Sequence, residues 1–158
     1  MTFRVGGLIA AIVLFAGAGY IGLASAQRAQ GASARPPVEV YKSPTCGCSS
    51  KWVEHLQAHG FTVKTTNVED IYQIKTKHRV PAAVESCHTA LVGGYVVEGH
   101  VPAADVQRLV DERPAIAGIG VRGMPIGSPG MEVAGVKAHP YGLLAFDNSG
   151  ETRVFAKH

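Results

Sequence analysis

The sequence has no Gly-Lys-Ser or Gly-Lys-Thr behind a glycine-rich stretch and no dinucleotide fingerprint, although it carries 19 glycines. A phosphate-cradling loop is therefore not indicated. Charge is scarce as well: 17% of residues are Asp, Glu, Lys or Arg, and the formal net charge is +3. So small and scattered a surplus argues against nucleic acid or an anionic membrane as partner. Internal repeats are absent. Cysteine is rarest of the reactive residues, with Cys46, Cys48 and Cys87 making up all three. In an oxidising compartment an odd count leaves one thiol outside any intramolecular disulfide, which disfavours a purely structural disulfide framework.

Met1-Thr2-Phe3-Arg4 forms a short positive head, followed by an apolar run from Val5 to Leu23 and then Ala24-Ser25-Ala26. That order predicts a secretory signal peptide over residues 1–26, with a mature chain starting at Gln27. The run is long enough to span a bilayer if retained, but its glycines and small-residue exit favour cleavage. Either outcome places the remainder outside the cytoplasm, in a bacterial periplasm. No lipobox cysteine follows. Residues 27–37, rich in Ala, Ser, Gln and Pro, read as a tether, leaving 38–158 as one domain.

Val38 and Val40 alternate as a short strand, Ser43-Pro44 reads as a turn, and Ser49 to His59 reads as a helix. Cys46 and Cys48 therefore flank a helix N-terminus, where unpaired N–H groups and the macrodipole stabilise an anion. Both thiols are expected to ionise more easily than a free cysteine. One intervening glycine makes a strained disulfide ring and suits two sulfurs turned toward one centre. Soft thiolates select Cu(I), Zn(II) or iron-sulfur clusters, so a metal is the first expectation.

Trp52, Val53 and Leu56 form the core stripe of that helix, with Gly60 as its stop. A second strand starts near Phe61 and Val63. Asp70 reads as the cap of a helix whose core residues are Val68, Ile71 and Ile74. Ala82–Glu85 is predicted as a third strand after Val80-Pro81, and Leu91–His100 holds another, with a Gly93-Gly94 turn or bulge. Between them Ser86-Cys87-His88-Thr89 reads as a turn. Pro102 opens a helix bearing Val106, Leu109 and Val110 that stops by Pro114. His55, His59 and His78 read as solvated or edge residues, His100 as a residue that supports the fold as readily as it binds, and His139 and His158 as weak ligand candidates.

Residues 118–132 hold too much Gly and Pro for a helix or central strand and are expected to form a shaped, functional loop. Met124 and Met131 lie in it. Thioethers bind Cu(I) but hardly bind Zn(II), so either one near the thiolates favours copper. Leu143–Phe146 and Thr152–Phe155 around Asp147-Asn148-Ser149-Gly150-Glu151 predict a closing hairpin.

Cysteines after the first strand and a Val-Pro further on resemble the thioredoxin or glutaredoxin architecture, in which that proline is usually cis and faces the cysteines. The expected class is thus α/β, with a thioredoxin-like core, an added Gly/Pro-rich loop and a C-terminal β-hairpin. In such a core the Cys87 turn is expected near Cys46 and Cys48.

Ser43-Pro44-Thr45-Cys46-Gly47-Cys48, Val80-Pro81, Ser86-Cys87-His88-Thr89-Ala90, Glu98-Gly99-His100-Val101-Pro102 and the run from Gly123 to Glu132 together resemble the CopG-type family of periplasmic copper-associated proteins. The resemblance implies copper binding through clustered cysteines and a role in copper resistance, with redox handling of the ion as an option. Cys46, Cys48 and Cys87 match family ligand cysteines by position. Family members commonly carry Cys-Gly-Cys-Cys, and here Ser49 replaces the last cysteine, so one or two Cu(I) ions are expected rather than a four-thiolate cluster. The expected donors are Cys46, Cys48 and Cys87, with Met124, Met131 and His88 as additional ones, and the expected partners are copper ion and other periplasmic copper-handling proteins. The rivals are a thiol-disulfide oxidoreductase or copper reductase using the same thiols, and a Zn(II) site of three cysteines plus His88.

Overall fold

The computed structural model describes residues 35–158. The predicted signal peptide and all of the tether except Arg35–Pro37 lie outside the described residues. Seven strands form one sheet in the order β2-β1-β3-β4-β5-β6-β7. They are β1 Val38–Lys42, β2 Val63–Asn67, β3 His88–Val92, β4 Tyr95–Glu98, β5 Gly118–Gly120, β6 Gly142–Phe146 and β7 Thr152–Lys157. The described helices are α1 Gly47–Ala58, α2 Ile71–Lys77 and α3 Ala103–Glu112. This is a mixed α/β architecture.

The core lies where the alternation placed it. Val38 and Val40 of β1 and Trp52 and Leu56 of α1 are fully buried, packed with Val97, Val106, Leu109, Ile119 and Leu143. Removing that apolar surface from water drives the sheet and helices together. The Trp52 indole N–H donates to the Val101 carbonyl at 2.8 Å, so α1 is pinned in rotation as well as in depth. Asp70 caps α2, accepting the Tyr72 N–H at 2.9 Å.

Strand register decides where the chemistry goes. β1 and β3 are antiparallel with Lys42 opposite His88, so the chain leaving β1 emerges beside the chain entering β3. β3 and β4 are antiparallel with Thr89 opposite Glu98, and β5 runs parallel to β4 with Gly120 opposite Glu98. The segments Ser43–Cys48, Ser86–Cys87, Gly99–His100 and Val121–Met124 therefore leave or enter the sheet at one end.

Several expectations need correction. Ala82–Glu85 is a turn rather than a strand, with the Val84 N–H donating to the Pro81 carbonyl; the pairing strand begins instead at His88, directly after Cys87. There are no cis peptide bonds among the described residues, so Val80-Pro81 is trans. Val68, Ile71 and Ile74 are half-buried, and the buried residue of α2 is Lys75. Gly118–Gly120 is an interior strand, not loop. Its glycines are required by close approach: a Cβ at Gly118 would meet the Val96 carbonyl and the Phe146 ring, and one at Gly120 would lie 2.8 Å from Val84 Cβ. Here the glycines mark tight packing inside the sheet, the other use that glycine has in a strand. Pro102 caps α3 from outside its first turn, and His55 Nε2 accepts the Ala103 N–H at 3.1 Å. His55 thus serves a helix end rather than solvent. The closing hairpin, β6 and β7, forms as predicted.

Candidate metal centre

Cys46 is the N-cap of α1, and Cys48 follows in its first turn. Cys87 enters from the adjoining strand end. Cys46 Sγ and Cys48 Sγ are 3.2 Å apart, and Cys48 Sγ and Cys87 Sγ 3.5 Å. All are free thiols, with their three sulfurs within 4.8 Å of one another. A metal–thiolate bond of about 2.3 Å allows ligand sulfurs up to about 4.6 Å apart across the ion. The Cys46–Cys48 and Cys48–Cys87 separations therefore suit a shared soft ion without rearrangement of the backbone.

Met124 joins them: the Cys48 thiol points at its Sδ from 3.7 Å, while half of Met124 remains exposed. Met131 does not reach the sulfurs in this way; it lines a cleft of about 330 Å³ beside Cys48, with Lys51, Gly130 and Glu132. The loop is held against α1 by a close approach at Gly130, where φ is +84° and a Cβ would lie 2.9 Å from both the Cys48 carbonyl oxygen and the Trp52 nitrogen. Only glycine accepts both the dihedral and the contact.

Two imidazoles complete the cluster. His88 is fully buried against Trp52, their ring centroids 4.5 Å apart, with Nδ1 3.1 Å from Ser49 Oγ and 3.4 Å from Cys87 Sγ. Its Nε2 is buried without a partner. His100, also fully buried, was read from sequence as equally a fold residue. Its Nδ1–H donates to the Pro129 carbonyl at 2.8 Å, which fixes the tautomer and leaves the Nε2 lone pair facing Cys87 Sγ at 3.1 Å. A carbonyl holding one imidazole nitrogen while the other faces the ligand position is a recurrent metal-site device. Cys87, His88 and His100 form a second donor group that shares Cys87 with the first. The available signal for His100 was its place just past a strand at the cysteine end of the sheet, which needed the register to be seen.

The electrostatics differ thiol by thiol. Burial raises the Cys46 pKa, but hydrogen bonds from the Ser49 hydroxyl, from Cys48 and from the Ser49 backbone outweigh it, and the thiol is net more acidic than usual. Cys48 goes the other way, raised by burial and by its contact with Cys46, contrary to the expectation that the helix end would favour both. Burial pushes Cys87 up to about 12. Burial also holds His88 well below, and His100 below, the ordinary imidazole value, so both stay neutral. A neutral imidazole is the form that binds metal. Cys46 gives up its proton most readily of the three, and a bound cation must displace the protons that the thiols hold.

Ser49 is fully buried at the middle of this group, its hydroxyl 3.0 Å from Cys46 Sγ and 3.5 Å from Cys87 Sγ. Ser49→Ala removes that donor while leaving the backbone. The expected result is a Cys46 pKa nearer the ordinary thiol value, seen as slower alkylation of Cys46 below pH 9, while the alkylation profile of Cys48 changes little.

The comparisons with known proteins agree with this cluster. A family model described as "Protein of unknown function, DUF411" matches residues 84–131, which span Cys87, His88, His100, Met124 and Met131. No curated protein matches. Two solved structures, Form 1 and Form 2 of "Copper resistance protein copG", are each 40% identical, cover 78% of this chain and 98% of theirs, and superpose with TM-scores of 0.73 and 0.74. The chain belongs to the CopG copper resistance family. This chain offers three clustered sulfurs, with the Ser49 hydroxyl among them, at the start of α1.

Proposed function

We propose that this CopG-family protein binds Cu(I) in the periplasm and contributes to copper resistance by holding the ion through Cys46, Cys48 and Cys87. The observation that carries this is the meeting of three thiols and one thioether at one end of the sheet. Sulfur donors with a thioether suit Cu(I) better than Zn(II), which leaves methionine largely unused. His100 Nε2 and His88 lie beside Cys87 as further donors, and because Cys87 belongs to both groups, the donor set suits one or two ions. Met131 shares a cleft with Cys48, which places its thioether beside the cluster rather than in it. The parallel β1-α1-β2 unit followed by antiparallel β3 and β4 and by α3 supports reading the core as thioredoxin-like. The predicted leader over residues 1–26 supports export, with other periplasmic copper-handling proteins as donors or acceptors.

A copper reductase or thiol-disulfide oxidoreductase is the second reading. The contacts at 3.2 and 3.5 Å favour it, because the same sulfurs lie close enough to exchange electrons through a disulfide.

Titration of the reduced protein with Cu(I) under anaerobic conditions, against a chromophoric Cu(I) chelator, tests the first reading. It is expected to give tight binding of one or two ions per chain, and protein isolated from periplasm is expected to carry copper rather than zinc. Failure to compete with the chelator would overturn the proposal. Multiple turnover of Cu(II) or of a disulfide by catalytic amounts of protein would favour the second reading instead.

A further inference from the structure

Away from the sulfurs, the least expected feature of the interior is an ion pair. Lys75 of α2 and Glu98 at the end of β4 are 3% and 0% exposed and in direct contact. Taking two such charges out of water costs so much that a buried pair is often no better than apolar residues of the same size. Stability alone gives little reason for it. What such a pair does fix is geometry, and every remaining bond of the Glu98 carboxylate goes to the segment that carries Cys87.

Glu98 Oε1 accepts the Ser86 N–H at 2.8 Å. Its Oε2 accepts the Thr89 hydroxyl at 2.7 Å, and Lys75 Nζ also reaches Thr89 Oγ1 at 3.2 Å. One carboxylate therefore grips the chain immediately before Cys87 and just after His88. The same residue reaches the methionine loop: its carbonyl accepts the Val121 N–H at 3.0 Å, and the Gly123 N–H donates to Glu85 at 3.0 Å. Ser86 Oγ closes the circuit by donating to the Gly123 carbonyl. Both chain segments that bring donors to α1 are tied to Glu98.

The geometry points to Glu98, held by Lys75, as a positioning residue that sets the Cys87 sulfur, and with it the Met124 loop, within reach of an ion shared with Cys46 and Cys48. It touches no metal. This rests on the Cu(I) reading above. Outer contacts of this kind are worth about 10- to 100-fold in metal affinity.

A double-mutant cycle tests it. Glu98→Gln with Lys75→Gln removes both charges together, so no lone buried ion remains. The pair is made in the otherwise unchanged protein and in Cys87→Ser, and each form is titrated with Cu(I) against the same chelator. Circular dichroism and thermal melting check folding. The expected loss is about 10- to 100-fold in the unchanged background and less than about threefold once Cys87 is gone. X-ray absorption of the copper-loaded Glu98→Gln/Lys75→Gln protein is expected to show fewer sulfurs per copper. Equal losses in both backgrounds, or full affinity with an unchanged sulfur count, would overturn it. Should the charge-pair variant not fold, Thr89→Val, which deletes the two hydrogen bonds of the Thr89 hydroxyl and leaves both charges paired, decides by the same comparison. Absence of Cu(I) binding by the unchanged protein is a separate outcome, which would sink the copper reading itself.

Discussion

Replacing Cys46 and Cys48 together by serine is expected to abolish tight Cu(I) binding, with a fall in affinity of more than about 1,000-fold, or about 4 kcal/mol. The reasoning is one of donor chemistry. The double variant leaves Cys87 as the one thiolate of the cluster, with Met124, His88 and His100, and a hydroxyl at positions 46 and 48 is a poor partner for a soft ion. Cys46 is the thiol whose acidity is raised by the Ser49 bonds, so the variant also removes the sulfur that gives up its proton most readily. Chelator competition reads the result. The fold should persist, because the two side chains are only partly buried and serine is a good residue at a helix N-cap. Undiminished affinity in a folded double variant would mean that the cation sits with the Cys87, His88 and His100 group, and that the α1 thiols serve another purpose.

How much of this was legible in the sequence depends on the range of the interactions involved. Cys46, Gly47 and Cys48 announced themselves because strand, turn and helix start are local signals, and Trp52 and Leu56 followed from helical spacing. The capping role of Asp70 was equally local. Three elements were misread for one reason: their neighbours in space decide their state. Ala82–Glu85 has strand composition, but Pro81 starts a turn there. Gly118–Gly120 has loop composition, but its neighbours leave no room for a Cβ, so glycine is what an interior strand needs at that point. Val68, Ile71 and Ile74 were expected as the core residues of α2, but the buried one is Lys75, and its burial follows from Glu98, 23 residues further along. His100 stayed open between binding and support of the fold for the same reason, since its value as a donor lies in the antiparallel pairing of β3 with β4 and in a carbonyl 29 residues away. Local reading found the helix-end half of the centre, and long-range register supplies the other half.

That second half predicts a narrow pH window for the metal-free protein. His88, His100 and His55 all have imidazole pKa values lowered by burial. In the unfolded chain they protonate near pH 6.5, so below that the unfolded state binds more protons and stability falls with pH. Each group steepens the fall by at most about 1.4 kcal/mol per pH unit. His55, being half-exposed, contributes less than the other two. The alkaline side has the opposite sign and the same origin. Cys87, pushed up to about 12, and Cys48, also raised, keep their protons when folded, whereas in the unfolded chain they ionise near pH 8.5. Stability is therefore lost as pH rises above that value, partly offset by Cys46, whose shift is downward. Urea unfolding of reduced, metal-free protein should give a midpoint that is highest between about pH 6.5 and 8.5 and falls on both sides. Cu(I), which binds the folded form with loss of thiol protons, should lift the alkaline side most, since there the competing protons are fewest. A midpoint flat from pH 5 to 10 would mean that neither the imidazoles nor the Cys87 thiol differ between folded and unfolded chains. The cluster would then be open to water, and Cys87 could not be the half-buried, proton-holding sulfur that joins its two halves.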